Sequence, residues 1–85
     1  MSAREQDWVT KAAASEVDYE GFCDAVVSIY RKGVFQVHFG QVLPGKNEIR
    51  WTTRFWIDAE SYKRLTLVFK QQLERYEKEY GEIKI

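Results

Sequence analysis

The 85 residues carry 13 basic and 13 acidic side chains, so a single domain is expected, and no overall charge draws it toward nucleic acid or an anionic membrane. A lone cysteine, Cys23, excludes a framework of internal disulfides and fits a reducing compartment. A chain this short buries only about 60% of its unfolded surface, yet 15% of its residues are aromatic, so some aromatic surface is expected at an interface.

Residues 1–17 lack a sustained apolar period. Trp8, Val9 and Ala12-Ala13-Ala14 suffice for a turn or two of helix, which is marginal in water by itself. The segment is therefore read as a mobile N-terminal arm, and residues 18–85 as one α+β domain. Met1 to Thr10 is polar and charged, unlike a secretory leader. No apolar run approaches a membrane span, so a cytoplasmic location is expected.

Three stretches alternate as strands do: about Phe22–Tyr30, Val34–Val42 and Glu48–Ile57. In the first, Cys23, Ala25, Val27 and Ile29 share a face, which is assigned to the core. In the second, Phe35, Val37 and Phe39 do so, and in the third Ile49, Trp51, Thr53, Phe55 and Ile57. The first turn decides how these faces combine. A two-residue Lys32-Gly33 turn would set Ile29 opposite Gln36 and Val27 opposite His38, mixing apolar and polar sides. A three-residue Arg31-Lys32-Gly33 turn, with Gly33 in a left-handed bulge, pairs Ile29 with Phe35 and Val27 with Val37 and is preferred. Pro44-Gly45 suits a type II turn before the third strand. The same matching of faces puts Phe39 opposite Trp51 and Phe35 opposite Phe55.

Asp58 is a good N-cap for a helix from Ala59 to Tyr80, and Gly81 stops it. Tyr62, Leu65, Phe69, Leu73, Tyr76 and Tyr80, widened by Val68, form its apolar stripe. At 1.5 Å per residue it would run about 33 Å, longer than the sheet it crosses, so its last turns need another partner. The alternating Glu82-Ile83-Lys84-Ile85 tail could add a short strand to a sheet edge. The expected architecture is a three-stranded antiparallel meander followed by one long C-terminal helix, βββα.

The outward face of that meander holds Tyr30, Val34 and Trp56 in one row, with Arg54, then Arg50, in rows beyond it and Lys46 in the turn. Such a face suits a second subunit or stacked bases. Asp24 and Arg50 are expected to form a weak surface ion pair across Gly40. His38 has no Cys or carboxylate at ligand spacing, so no metal site is expected. Cys23 is read as a small buried hydrophobe with no base to activate it. Gly40 to Asn47 nearly matches a phosphate-binding loop. However, Asn47 replaces the magnesium-binding hydroxyl, Pro44 removes a cradle N–H, and a strand follows instead of a helix. Carboxylates are scattered, and no catalytic constellation or cofactor is expected.

Phe22-Cys23-Asp24-Ala25-Val26, Phe39-Gly40, Leu43-Pro44-Gly45, Arg54-Phe55-Trp56-Ile57, the Lys63-containing helix and Tyr76-Glu77-Lys78-Glu79-Tyr80-Gly81-Glu82-Ile83 occur in that order. Over residues 17–84 the pattern resembles the domain-of-unknown-function family 3467, small bacterial and archaeal proteins without an assigned function. That family usually shows Tyr-Ala-Asn where this chain has Phe22-Cys23-Asp24. The strands-then-helix order is also similar to the single-strand-binding coactivator and Whirly folds. That resemblance implies dimerisation through the helix and nucleic-acid binding on the sheet, although those proteins use a basic surface.

The residues together point to a non-enzymatic homo-oligomer, a dimer, serving as an interaction module. Leu67, Tyr76, Tyr80, Ile83 and Ile85 are expected at the subunit contact. The alternative is a single-stranded nucleic-acid-binding protein using Tyr30, Val34 and Trp56 to stack and Arg54, Arg50 and Lys46 on phosphate.

Overall fold

A computed structural model describes residues 2–85. The elements are α1 (Ala3–Ala14), β1 (Ala25–Arg31), β2 (Val34–Val42), β3 (Ile49–Asp58) and α2 (Ala59–Tyr80). The strands form one antiparallel sheet in the order β1-β2-β3. The class is therefore α+β, with a helix ahead of the meander: αβββα, not βββα. The first helix is organised by an N-cap that the periodicity does not reveal. Ser2 is the N-cap, its hydroxyl accepting the N–H of Glu5 at 3.2 Å. Lys11 pairs with Asp7 one turn back at 3.0 Å, and the Arg4 guanidinium lies 4.8 Å over the Trp8 ring. Every residue of α1 is exposed.

The first hairpin turns on two residues, Lys32 and Gly33, with Gly33 at φ 85°. The pairs are Tyr30 with Phe35, Ser28 with Val37 and Val26 with Phe39. This is the register set aside in the sequence reading. A shift of one residue exchanges the two sides of β1, because side chains alternate with period two. Val26, Ser28 and Tyr30 therefore share the side of Phe35, Val37 and Phe39. Ala25, Val27 and Ile29 share the other side with Gln36 and His38.

Between β2 and β3, Phe35 faces Ile57, Val37 faces Phe55 and Phe39 faces Thr53. A bulge then intervenes, and Gly40 pairs with Trp51. Thr52 is the extra residue, and its hydroxyl donates to the Phe39 carbonyl at 3.3 Å. The bulge moves Trp51 to the side opposite Phe55, where its ring meets the edge of His38 with centroids 6.0 Å apart. Trp51 thus leaves the Phe35–Phe39–Phe55 face expected for it. The second turn is of the expected type: Lys46 N–H donates to the Leu43 carbonyl at 3.2 Å, and Gly45 has φ 72°.

The chain passes from β3 into α2 without a loop. The Asp58 carboxylate accepts the Ser61 N–H at 3.0 Å, and the Ala59 N–H reaches back to the Gly33 carbonyl at 3.1 Å. Tyr62 then stacks flat on Phe35, with centroids 3.7 Å apart and planes 4° from parallel, and its hydroxyl reaches Ser28 Oγ at 3.2 Å. These contacts define the inner face of the sheet. Tyr62 and Leu65 are half-buried, but Phe69, Leu73, Tyr76 and Tyr80 are exposed. The apolar stripe expected to be buried is covered only at its start. Among the described residues Val37, at 5% exposure, is the one buried hydrophobic side chain. Cys23 is exposed, in the segment ahead of β1, and is not the buried small hydrophobe expected. The tail after Gly81 forms no strand, and the Ile83 N–H bonds the Glu77 carboxylate at 2.8 Å.

Hydrogen bonds from the Ser61 side chain and backbone hold the Asp58 carboxyl below its ordinary value of 3.8, with Arg64 adding to the effect. A carboxylate favoured in the folded state stabilises fully above that ordinary value, and the gain is lost as pH falls through the lowered one. Asp58→Ala is expected to lower the melting temperature at neutral pH. Asp58→Asn, an equally good cap, should keep most of the stability while flattening its dependence on acid. Thermal melts followed by circular dichroism across the acid range check both.

Candidate functional site

The sheet presents two surfaces of different character. On the inner one, α2 covers the Phe35 end only. Toward the other end Phe39 and Phe55 meet edge-on, with centroids 6.1 Å apart. They floor an open-sided groove of about 580 Å³ that Gln41, Arg50 and Thr53 also line. Its wall is the extended segment Asp18–Cys23, clipped to β2 by short hydrogen bonds. Gln41 Nε2 donates to the Phe22 carbonyl at 2.9 Å, Val42 N–H to the Asp24 carboxylate at 2.8 Å, and Asp24 N–H to the Gly40 carbonyl at 3.1 Å. The Asp24 carboxylate thus accepts a backbone N–H of β2, and among the described residues it forms no ion pair with Arg50, which the sequence reading expected.

On the outer side, β3 presents Trp51, Arg54 and Trp56; β2 presents Val34, Gln36, His38 and Gly40; β1 presents Val27, Ile29 and Arg31. His38 Nε2 and Gln36 Oε1 lie 2.7 Å apart, and Arg54 is directly opposite His38. Gly40 has a specific reason to be glycine. A Cβ there would fall 2.7 Å from the Arg50 carbonyl oxygen and 2.9 Å from both Ile49 Cγ2 and the Trp51 ring. The indole of Trp51 therefore lies across the bare backbone of β2. A glycine inside an apolar strand pattern was the available sign of a bulge or close approach.

The residues singled out from the sequence divide between the two surfaces. Trp56, Arg54 and Val34 come together on the outer one. Tyr30 and Arg50 lie on the inner one, Tyr30 beside Phe35 at 6.1 Å and Arg50 on the groove. Lys46 sits in the β2–β3 turn. Tyr76 and Tyr80 contact each other at 5.0 Å on the distal part of α2, with Ile83 and Ile85 in the tail beyond. At 100° per residue Leu67 falls outside the stripe of Tyr62, Phe69 and Tyr76. The sequence reading missed Trp51 and His38 as outer-face neighbours, and the Phe39–Phe55 groove.

Among the described residues, no cluster of three or more His, Cys, Asp or Glu side chains could hold a metal ion. No helix among them is long and apolar enough to cross a membrane. The chain matches no family model, no curated protein and no solved structure.

Gly40→Ala should push the β2–β3 ladder apart, since a backbone oxygen cannot yield as a side-chain tip can. A loss of about 1–3 kcal/mol is expected from overpacking at this site, read as a lowered urea midpoint. The added loss should shrink in a Trp51→Ala background, which removes one of the clashing groups.

Proposed function

We propose that the protein is a non-enzymatic interaction module that works as a homo-oligomer, in its simplest form a dimer, in the cytoplasm. The carrying observation is the surface a single chain leaves open. The chain exposes 8080 Å², whereas a folded monomer of 10.1 kDa is expected to expose about 5,300 Å². Its radius of gyration is 15.4 Å, against about 12 Å for a compact domain of this length. Part of the excess belongs to α1. The exposed large apolar side chains include Phe69, Leu73, Tyr76 and Tyr80 on the distal stripe of α2 and Phe55 on the floor of the sheet.

These two surfaces complement one another. Phe69, Leu73, Tyr76 and Tyr80 form a row that nothing in its own chain covers. Phe39 and Phe55 floor a groove that its own helix does not reach. A second copy related by a two-fold axis supplies each with the other, as an isologous contact requires. Obligate dimers of this kind bury on the order of 2,000–5,000 Å² in total, which the excess per chain can supply from both sides. Ile83 and Ile85, at the end of the helix, extend the same contact. The resemblance to domain-of-unknown-function family 3467 is proposed as kinship and brings no activity with it.

Light scattering on the eluting protein is expected to give twice the 10.1 kDa chain mass at tens of micromolar. Leu73→Glu and Phe69→Glu alter side chains exposed in a single chain, so a protein that works as a monomer should tolerate them. In a dimer they place a charge in a desolvated contact, and the mass should fall to that of one chain. An unaltered monomer in both wild type and variants contradicts the proposal.

A further inference from the structure

The zero net charge of the chain conceals a segregation along it. Residues 1–24 carry Glu5, Asp7, Glu16, Asp18, Glu20 and Asp24 against Arg4 and Lys11. The meander from 25 to 57 reverses the balance: Arg31, Lys32, Lys46, Arg50 and Arg54 stand against Glu48 alone. Glu48 precedes β3 and lies outside the Trp51–Arg54–Trp56 row. Asp58, at the other end of that row, is engaged in capping α2. Arg50 belongs to the inner groove, but Arg31 and Arg54 lie on the outer face, and Lys32 and Lys46 stand in the turns at its ends. The outer face is therefore locally electropositive, and its aromatic groups are open to solvent, with Trp51 46% and Trp56 58% exposed.

We infer that the outer face of the sheet binds single-stranded nucleic acid. The indoles of Trp51 and Trp56 present flat apolar surfaces at two points on one strand, about 16 Å apart at roughly 3.3 Å per residue. Arg54 lies between them, and Arg31 borders a recess of about 110 Å³ beside Trp56, Ile29 and Gln36. Stacking of bases on aromatic rings, with cations tracking the phosphates between, is how sheets hold a single strand without reading its sequence. An acidic protein would use the arginines but gain little from two exposed indoles. A duplex would offer its phosphates but no base faces. Gln36 and His38, between the tryptophans on β2, supply hydrogen-bonding groups to base edges. Assembly through α2 and the inner face leaves this surface free, so the inference does not depend on the oligomer.

The test is a titration of the full chain with a fluorescein-labelled oligothymidylate of about 20 nucleotides, read by anisotropy and by quenching of tryptophan emission in a Trp8→Phe background. Saturable binding with quenching is expected, weakening steeply as salt is raised. Trp56→Ala should weaken binding about tenfold and Trp56→Phe should restore most of it. Arg54→Ala should weaken it and lower the salt slope by about one. Absence of binding at low salt overturns the inference. So does equal affinity for the matching duplex, for polyglutamate or for anionic vesicles, each of which assigns the face to a different partner. Unchanged affinity in Trp56→Ala likewise overturns it.

Discussion

The stack of Phe35 on Tyr62, with the Tyr62 hydroxyl tied to Ser28, is where the long helix is held to the sheet. Its position near the start of α2 governs the rest of the molecule. Asp58 caps the helix directly at the end of β3, and Ala59 is pinned to the Gly33 carbonyl. The first turns are thereby fixed over the Phe35 end. Beyond Leu65 the helix leaves the sheet with its apolar stripe uncovered. One chain therefore carries an uncovered helical stripe and an uncovered sheet groove without joining them, and among the described residues Val37, at 5% exposure, is the one buried hydrophobic side chain. Hydrophobic burial is the main force opposing chain entropy. That so little is enclosed is the ground for the proposal that a neighbour supplies the remainder.

The two sides of the sheet consequently serve different ends. The inner side is aromatic and partly covered, its groove walled by the clipped segment Asp18–Cys23, and is suited to apolar contact. The outer side is aromatic and cationic and has no such wall. The Thr52 bulge creates this division. By turning Trp51 outward it takes one indole from the inner surface and places it with Trp56 and Arg54. Gly40 makes the arrangement possible by leaving room for the ring.

The long helix was legible from the sequence because its signals are local and agree: Asp58 at the cap, a stripe at three- and four-residue steps, and Gly81 at the end. The type II turn at Pro44-Gly45 was legible for the same reason. The first-strand register was not, because β1 is apolar on both sides. Val26 adjoins Val27 and Tyr30 follows Ile29, so alternation alone does not say which side meets the helix. Choosing the longer turn to match apolar residues exchanged the faces and split the proposed row of Tyr30, Val34 and Trp56. The first helix was missed because its stabilising features are an N-cap and side-chain pairs, without the apolar stripe that marks a docked helix. The bulge depends on a long-range fit between Gly40 and Trp51, which spacing along the chain does not encode.

The central claim is that this fold is completed by a second chain. Urea unfolding followed by circular dichroism, repeated over about a hundredfold range of protein concentration, tests it most directly. Linkage to association requires the midpoint to rise with concentration, by about 1.4 kcal/mol of apparent stability for each tenfold increase. A cooperative transition whose midpoint is the same at every concentration would contradict the account.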